Sequence, residues 1–225
     1  MFLGHYAAAL LAKRAVPAAS LGALVAAAQL PDLVWPMFLL LGWERVEIAP
    51  GATAFTPLAF VHYPWSHSLL FVVLWSLAAA TVARVRRWPM AAGTVIGALV
   101  VSHWVLDVIT HRPDLPLYPG GPVLGLGLWR FVGGTLLVEL AMFLGAAWLS
   151  LRTVLRPERV GGLALGAFLA TLLLLYVGNV AGPPPPSATA VAAVGLGQWL
   201  LVAWAGWLDG RQAGVVDERG PDRHT

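Results

Sequence analysis

Five stretches of this chain are apolar over a length comparable to a bilayer crossing: Pro64–Ala83, Met90–His111, Leu128–Leu151, Val160–Val180 and Ala188–Leu208. A transmembrane helix needs about 20 such residues. In lipid the backbone must satisfy its own hydrogen bonds, which leaves helices or closed barrels as the spanning structures. Runs of this length, with little charge inside them, specify helices. Composition agrees: 59% of the residues are hydrophobic and 11% charged, against roughly 45–50% and 25% in soluble domains. A chain of 225 residues cannot hide that much apolar surface from water, so a cytosolic globular enzyme is excluded. A disordered chain is excluded too, since it needs the opposite composition. Cysteine is absent, which removes disulfides, thiolate metal ligands and cysteine nucleophiles.

The first sixty residues are less regular. Phe2–Ala12 is apolar but only half a span long, and Lys13–Pro17 reads as a turn. Val16–Leu41 is long enough to cross, but Pro31 and Pro36 interrupt it around Asp32, so a helix broken or ended near Pro31 is expected. Hydrophobicity resumes directly after Ala28, which argues against a cleaved leader ending there. The mixed stretch Gly42–Val61 reads as the one sizeable loop, and Pro183–Pro186 must also be a loop. The expected fold is therefore all-α: a polytopic membrane helix bundle of about six spans plus a short N-terminal half-helix. Residues 1–208 form the integral membrane domain, with its chemistry-bearing part in 1–120. Residues 209–225 read as a polar, disordered cytoplasmic tail.

The net charge of +3 does not indicate nucleic-acid binding, because the basic residues lie in short clusters between apolar runs. Lys13 and Arg14, then Arg84, Arg86 and Arg87, then Arg152, Arg156 and Arg159, and finally Arg211, Arg219 and Arg223 all fall on one side if the spans alternate. The positive-inside rule makes that side cytoplasmic. The expected location is the bacterial inner membrane, multi-pass, with the C-terminus in the cytoplasm. Most of the tryptophans mark span ends, as an interfacial belt does.

This orientation places the ionisable residues of the first half at the opposite, outer face: His5, Asp32, His62, His67, His103, Asp107 and His111. Ionisable groups within spans are costly and are functional by default. His103, Asp107 and His111 are spaced four apart, which stacks them on one helical face. Ser66 reads as an N-cap of the following helix. Imidazole and carboxylate ligands suit a divalent ion, zinc first, with manganese or iron as alternatives. Glu139, in the middle of the Leu128–Leu151 run, reads either as a partner to a metal-bound histidine or as a protonated packing residue.

Three motifs carry a resemblance: Leu30-Pro31-Asp32, then His62-Tyr63-Pro64-Trp65-Ser66-His67-Ser68, then Ser102-His103-Trp104-Val105-Leu106-Asp107, with Gly4-His5 near the start. Together they resemble the YdjM-like family of bacterial inner-membrane proteins, described as membrane-bound metal-dependent hydrolases. The resemblance covers residues 1 to about 120. It implies an all-helical membrane fold and a divalent metal held by His5, Asp32, His62, His67, His103 and Asp107. The family commonly has an arginine where Tyr63 stands here, so an anion grip would have to come from Arg112 or Arg130.

The expected function is a metal-dependent hydrolase at the outer membrane surface, acting on a membrane lipid, a lipid-linked substrate or a phosphoester. A bound metal would activate water, with Asp32 or His62 as general base. Two other readings remain at this stage. One is cation binding or transport, which would need polar residues continuing to the cytoplasmic side. The other is a structural protein whose polar cluster only holds helices together.

Overall fold

The computed structural model describes residues 1–154 and 159–217. The described chain is predominantly helical, as expected. In order it contains α1 (Phe2–Ala15), α2 (Leu21–Ala28), α3 (Leu30–Leu40), β1 (Arg45–Ile48), β2 (Leu58–His62), α4 (Pro64–His67), α5 (Leu69–Val85) and α6 (Met90–Thr110). There follow the two-residue strands β3 (Leu115–Pro116) and β4 (Val123–Leu124), then α7 (Val132–Val154), α8 (Arg159–Ala181), α9 (Ala188–Leu196) and α10 (Gln198–Asp217).

Among the described residues, four helical stretches are long and apolar enough to span: Met90–Thr110, Val132–Arg152, Gly162–Ala181 and Ala188–Asp209. The α2–α3 pair makes a fifth if counted as one bent span. The expected six is thus one or two too many. The difference lies in α5, whose 17 residues reach about 26 Å at 1.5 Å per residue, a few ångströms short of the roughly 30 Å hydrocarbon core, so that α5 crosses only where the bilayer thins to meet it. At the other end, α10 runs on as helix to Asp217, and the last eight positions of the polar tail lie outside the described residues.

The break between α2 and α3 is a bend of 59°. Pro31 cannot donate to the Ala27 carbonyl and its ring crowds that group. The Gln29 N–H closes the last turn of α2 on the Val25 carbonyl at 2.9 Å. Ser20 opens α2 by accepting from the Ala23 N–H at 3.2 Å.

The stretch read as a loop, Gly42–Val61, is mostly a hairpin. β1 and β2 pair antiparallel, Val46 with Phe60 and Ile48 with Leu58, with an irregularity next to the Arg45–His62 pair.

Helix α1 packs against α7, α2 and α6. Leu3, Tyr6, Leu24, Val25, Val100, Phe143, Phe168 and Leu172 belong to the buried core. Large apolar side chains on the outward faces, such as Leu137 and Leu174, are exposed, as lipid-facing positions are. Lys13 closes one end: its Nζ donates to the carbonyls of Pro17 and Ala19 at 2.9 and 2.8 Å and pairs with Asp209 Oδ1 at 2.7 Å. Asp209 also accepts from the Leu21 N–H. The N-terminal turn is thereby tied to α10.

Helices α2 and α10 cross at a glycine pair. A Cβ on Gly22 would stand 2.8 Å from the Gly206 backbone, the close approach that small residues permit in membrane bundles. Gly22→Val should therefore destabilise by about 1–3 kcal/mol, the usual cost of overpacking. Gly166→Val, at a position with nothing within 4 Å, should be close to neutral. Thermal melting of the two variants in the same detergent checks this.

Candidate metal centre

Helix α6 carries His103 and Asp107 one turn apart, and both are buried. Facing them is Asp32, in the first turn of α3, where the helix N-terminus favours a carboxylate. His67, at the end of α4, completes the group. His67 Nε2 lies 3.3 Å from Asp32 Oδ1 and 3.9 Å from Asp107 Oδ2. His103 Nε2 lies 3.2 Å from Asp107 Oδ2 and 3.9 Å from Asp32 Oδ1. Ligands about 2.1 Å from a tetrahedral ion are about 3.4 Å apart, so the four separations bracket the edge of such a shell.

Both rings have their other nitrogen engaged. The last carbonyls of a helix lack intrahelical partners. The Ala28 carbonyl, at the end of α2, lies 2.8 Å from His103 Nδ1. A carbonyl can only accept, so Nδ1 carries the proton and Nε2 bears a lone pair. That lone pair faces carboxylate oxygens, which are acceptors too, and the buried Nε2 has no hydrogen-bond partner. An acceptor surrounded by acceptors requires a cation or a proton, and these residues fit a divalent ion.

His67 is set in the same way by a longer chain. Its Nδ1 is 2.7 Å from Ser66 Oγ, and Ser66 Oγ donates to Glu44 Oε2 at 2.6 Å. With the hydroxyl proton directed at Glu44, the Ser66 oxygen accepts from His67 Nδ1–H. Glu44 Oε1 also accepts the Trp65 and Ser66 N–H groups, each at 2.8 Å. Burial pushes the Glu44 carboxyl above its usual range, and the hydrogen bonds from Ser66 pull it back. Sequence reasoning missed Glu44. The cap of α5 is Ser68, which accepts from Phe71 N–H at 3.3 Å; Ser66, expected there, holds His67 instead.

His5 lies behind Asp107. Asp107 Oδ1 accepts from the Met1 ammonium and is 3.2 Å from His5 Nε2, while Oδ2 faces His67 and His103. The His5 ring stacks on His103 with centroids 3.7 Å apart. Two overlapping trios have metal-competent geometry: Asp32, His67 and His103, and His5, His103 and Asp107.

The remaining candidates stand elsewhere. His62, at the end of β2, is exposed and lies outside both trios. Helix α6 ends at Thr110, and His111 turns off its face in extended backbone. His111 Nδ1 is 3.0 Å from Asp114 Oδ1, and its ring packs on Trp129 and Phe60, at 4.3 and 4.9 Å. Tyr63 Oη and Arg112 Nε also donate to Asp114, each at 2.9 Å. Burial alone would raise the Asp114 carboxyl, but these bonds hold it below its usual value. Burial and the adjacent Asp114 push the Tyr63 hydroxyl well above its own. Tyr63 and Arg112 are thus knotted to one carboxylate. Glu139 caps α1 from across the bundle: its Oε2 accepts the Leu3 N–H at 2.8 Å, while its Oε1 is buried without a partner.

Fold and site together define a polytopic helical membrane protein with a buried His/Asp cluster suited to a metal ion. The YdjM inner membrane protein family matches residues 1–182, and the chain belongs to that family. No curated protein and no solved structure matches it.

Glu44→Leu would leave two backbone donors and the Ser66 hydroxyl without their acceptor, at about 1–3 kcal/mol for each buried group. It should lower the melting temperature and the metal affinity together. Ser66→Ala removes the link to His67 and one of Glu44's donors but keeps the two backbone ones, and should weaken metal binding more than it lowers melting. Metal titration alongside calorimetry separates the two effects.

Proposed function

We propose that this protein is a metal-dependent hydrolase acting at the extracytoplasmic membrane surface on a lipid or lipid-linked substrate. The observation that carries the proposal is the clustering of Asp32, His67, His103 and Asp107, with the Nδ1 of each imidazole engaged elsewhere and its Nε2 within 3.3 Å of a carboxylate oxygen. Three side chains of this group would hold the ion and leave a coordination position for water, with zinc a good match to imidazole and carboxylate donors. His5 would steady Asp107 from behind. When bound, the ion supplies Lewis acidity and a water of lowered pKa.

The chain's own contribution follows from exposure. His67, His103 and Asp107 have at most 5% of their side-chain surface exposed, whereas Asp32 has 26%. Water and substrate would reach the cluster from the Asp32 side. Asp32 would orient the incoming water and accept its proton, and in this reading it rather than His62 is the general base. The arginine clusters after α5 and α7 support an outward-facing site. The site would then lie near headgroup depth, which supports a lipid over a freely soluble substrate. Buried apolar residues on α2 and α6 further from the cluster, Leu24, Val25, Ile96 and Val100, support chemistry at one face over passage of a cation.

Purified protein should carry about one equivalent of divalent metal, and Asp107→Asn should lose most of it, since removing a ligand charge weakens the site. Val105→Asn alters an exposed position of the same helix and should keep the metal. If Asp107→Asn keeps its metal while losing thermal stability, the cluster is a packing device and the hydrolase reading fails. Elemental analysis and melting curves on both variants decide the matter. Orientation has its own check: reporter fusions after Arg87 should read cytoplasmic and those near Gly51 external, and the reverse pattern would put the site on the inner face.

A further inference from the structure

Trp65, two residues before His67, lines an aromatic cavity of about 670 Å³ together with Phe38, Trp43, His62, Phe71 and Trp75. That volume falls within the roughly 300–1,000 Å³ of ligand sites. Its walls are fixed in place. Phe38 stacks on Trp43 with centroids 5.4 Å apart, and Trp65 meets Phe71 edge-on at 5.0 Å. Trp75 Nε1 donates to the Trp65 carbonyl at 2.9 Å, and the Trp65 N–H is held by Glu44. Among the lining side chains only the His62 imidazole is strongly polar. A sugar or nucleotide would leave its hydroxyls without partners there.

The cavity draws its walls from the end of α3, the start of α5 and the turn that carries His67. The same two helices expose Leu40, Leu41, Leu70 and Leu74, so the apolar surface continues outward from the cavity. Trp65 is a wall of the cavity, and His67 follows two residues later on α4.

We infer that this cavity takes the hydrocarbon tail of a membrane lipid whose head is presented to the metal cluster. The inference rests on the proposed function for its purpose, but tail binding is measurable without turnover. The tail would lie against the tryptophan and phenylalanine faces, and the Glu44–Ser66–His67 chain joins that wall to the cluster.

The test uses full-length protein in detergent and a phospholipid with a diazirine on its acyl chain, mapped after photolysis by peptide mass spectrometry. Labelling of peptides containing Phe38, Trp43, Trp65 and Phe71 should saturate and be competed by the same lipid without the diazirine. Labelling at lipid-facing Leu137 and Leu174 should rise without saturating. Trp75→Ala should cut cavity labelling roughly tenfold, as loss of a central aromatic wall does, while metal content stays unchanged. Phe71→Ala serves the same purpose if Trp75→Ala does not remain monodisperse. Cavity labelling that follows the Leu137 pattern would overturn the inference, because the cavity would then hold only bulk lipid. Competition by tetramethylammonium, a choline-like cation with neither tail nor phosphate, would overturn it in favour of an aromatic cage for a cation. Failure of the metal reading is distinguishable: Asp107→Asn would keep its metal while saturable labelling persisted.

Discussion

The site depends on the bend between α2 and α3. In a continuous helix the Ala28 carbonyl would accept from the amide four residues on, and His103 would face a satisfied backbone. Pro31, without an N–H of its own, stands at the 59° bend that carries the Asp32 N–H away from Ala28. The bend has two consequences. It leaves the Ala28 carbonyl to His103 Nδ1, and it starts a new helix whose first turn carries Asp32 beside the same ring. A proline at the bend thus accompanies both the tautomer of His103 and the position of Asp32.

The electrostatics of the cluster follow from that arrangement. Two carboxylates and two imidazoles form a largely buried, electron-rich centre. Burying such charge without compensation is expensive. The structure divides the compensation between the two oxygens of Asp107: Oδ1 takes the Met1 ammonium and His5, while Oδ2 is left to the cluster. Glu139 supports this from behind by capping α1, and so holds His5 and the first residues against Asp107. This capping of α1 is a role that neither sequence reading of Glu139, metal-histidine partner or protonated packing residue, included.

What could be read in advance was what regular geometry projects. His103 and Asp107 fall on one face because a straight helix repeats every 3.6 residues, and the break near Pro31 follows from missing N–H chemistry. His111 could not be placed the same way. Its spacing continues the stripe, but the helix ends at Thr110, and one residue of extended backbone sends the ring to Asp114 instead. Glu44 was not legible at all. It lies some twenty residues before Ser66, and only the pairing of β1 with β2 folds that distance back. Mixed polarity between Gly42 and Val61 read as a loop because the hairpin is short and exposed on much of its surface. Capping signals were ambiguous for a similar reason: Ser66 and Ser68 are both good caps by type, and Glu44 captures the first.

The shape of the cluster's surroundings separates the functional readings. A cation pathway needs polar groups on both sides of its binding site. Here Asp32 is the side chain that reaches the surface, while a turn or two deeper along α2 and α6 the core is closed by Leu24, Val25, Ile96 and Val100. The cluster thus has one side chain at the solvent boundary, Asp32, and the rest behind it. The side chains furthest from solvent are the ones whose tautomers the backbone and Ser66 hold in place, and the one nearest solvent stands in the first turn of a helix, where a carboxylate is favoured without a partner of its own.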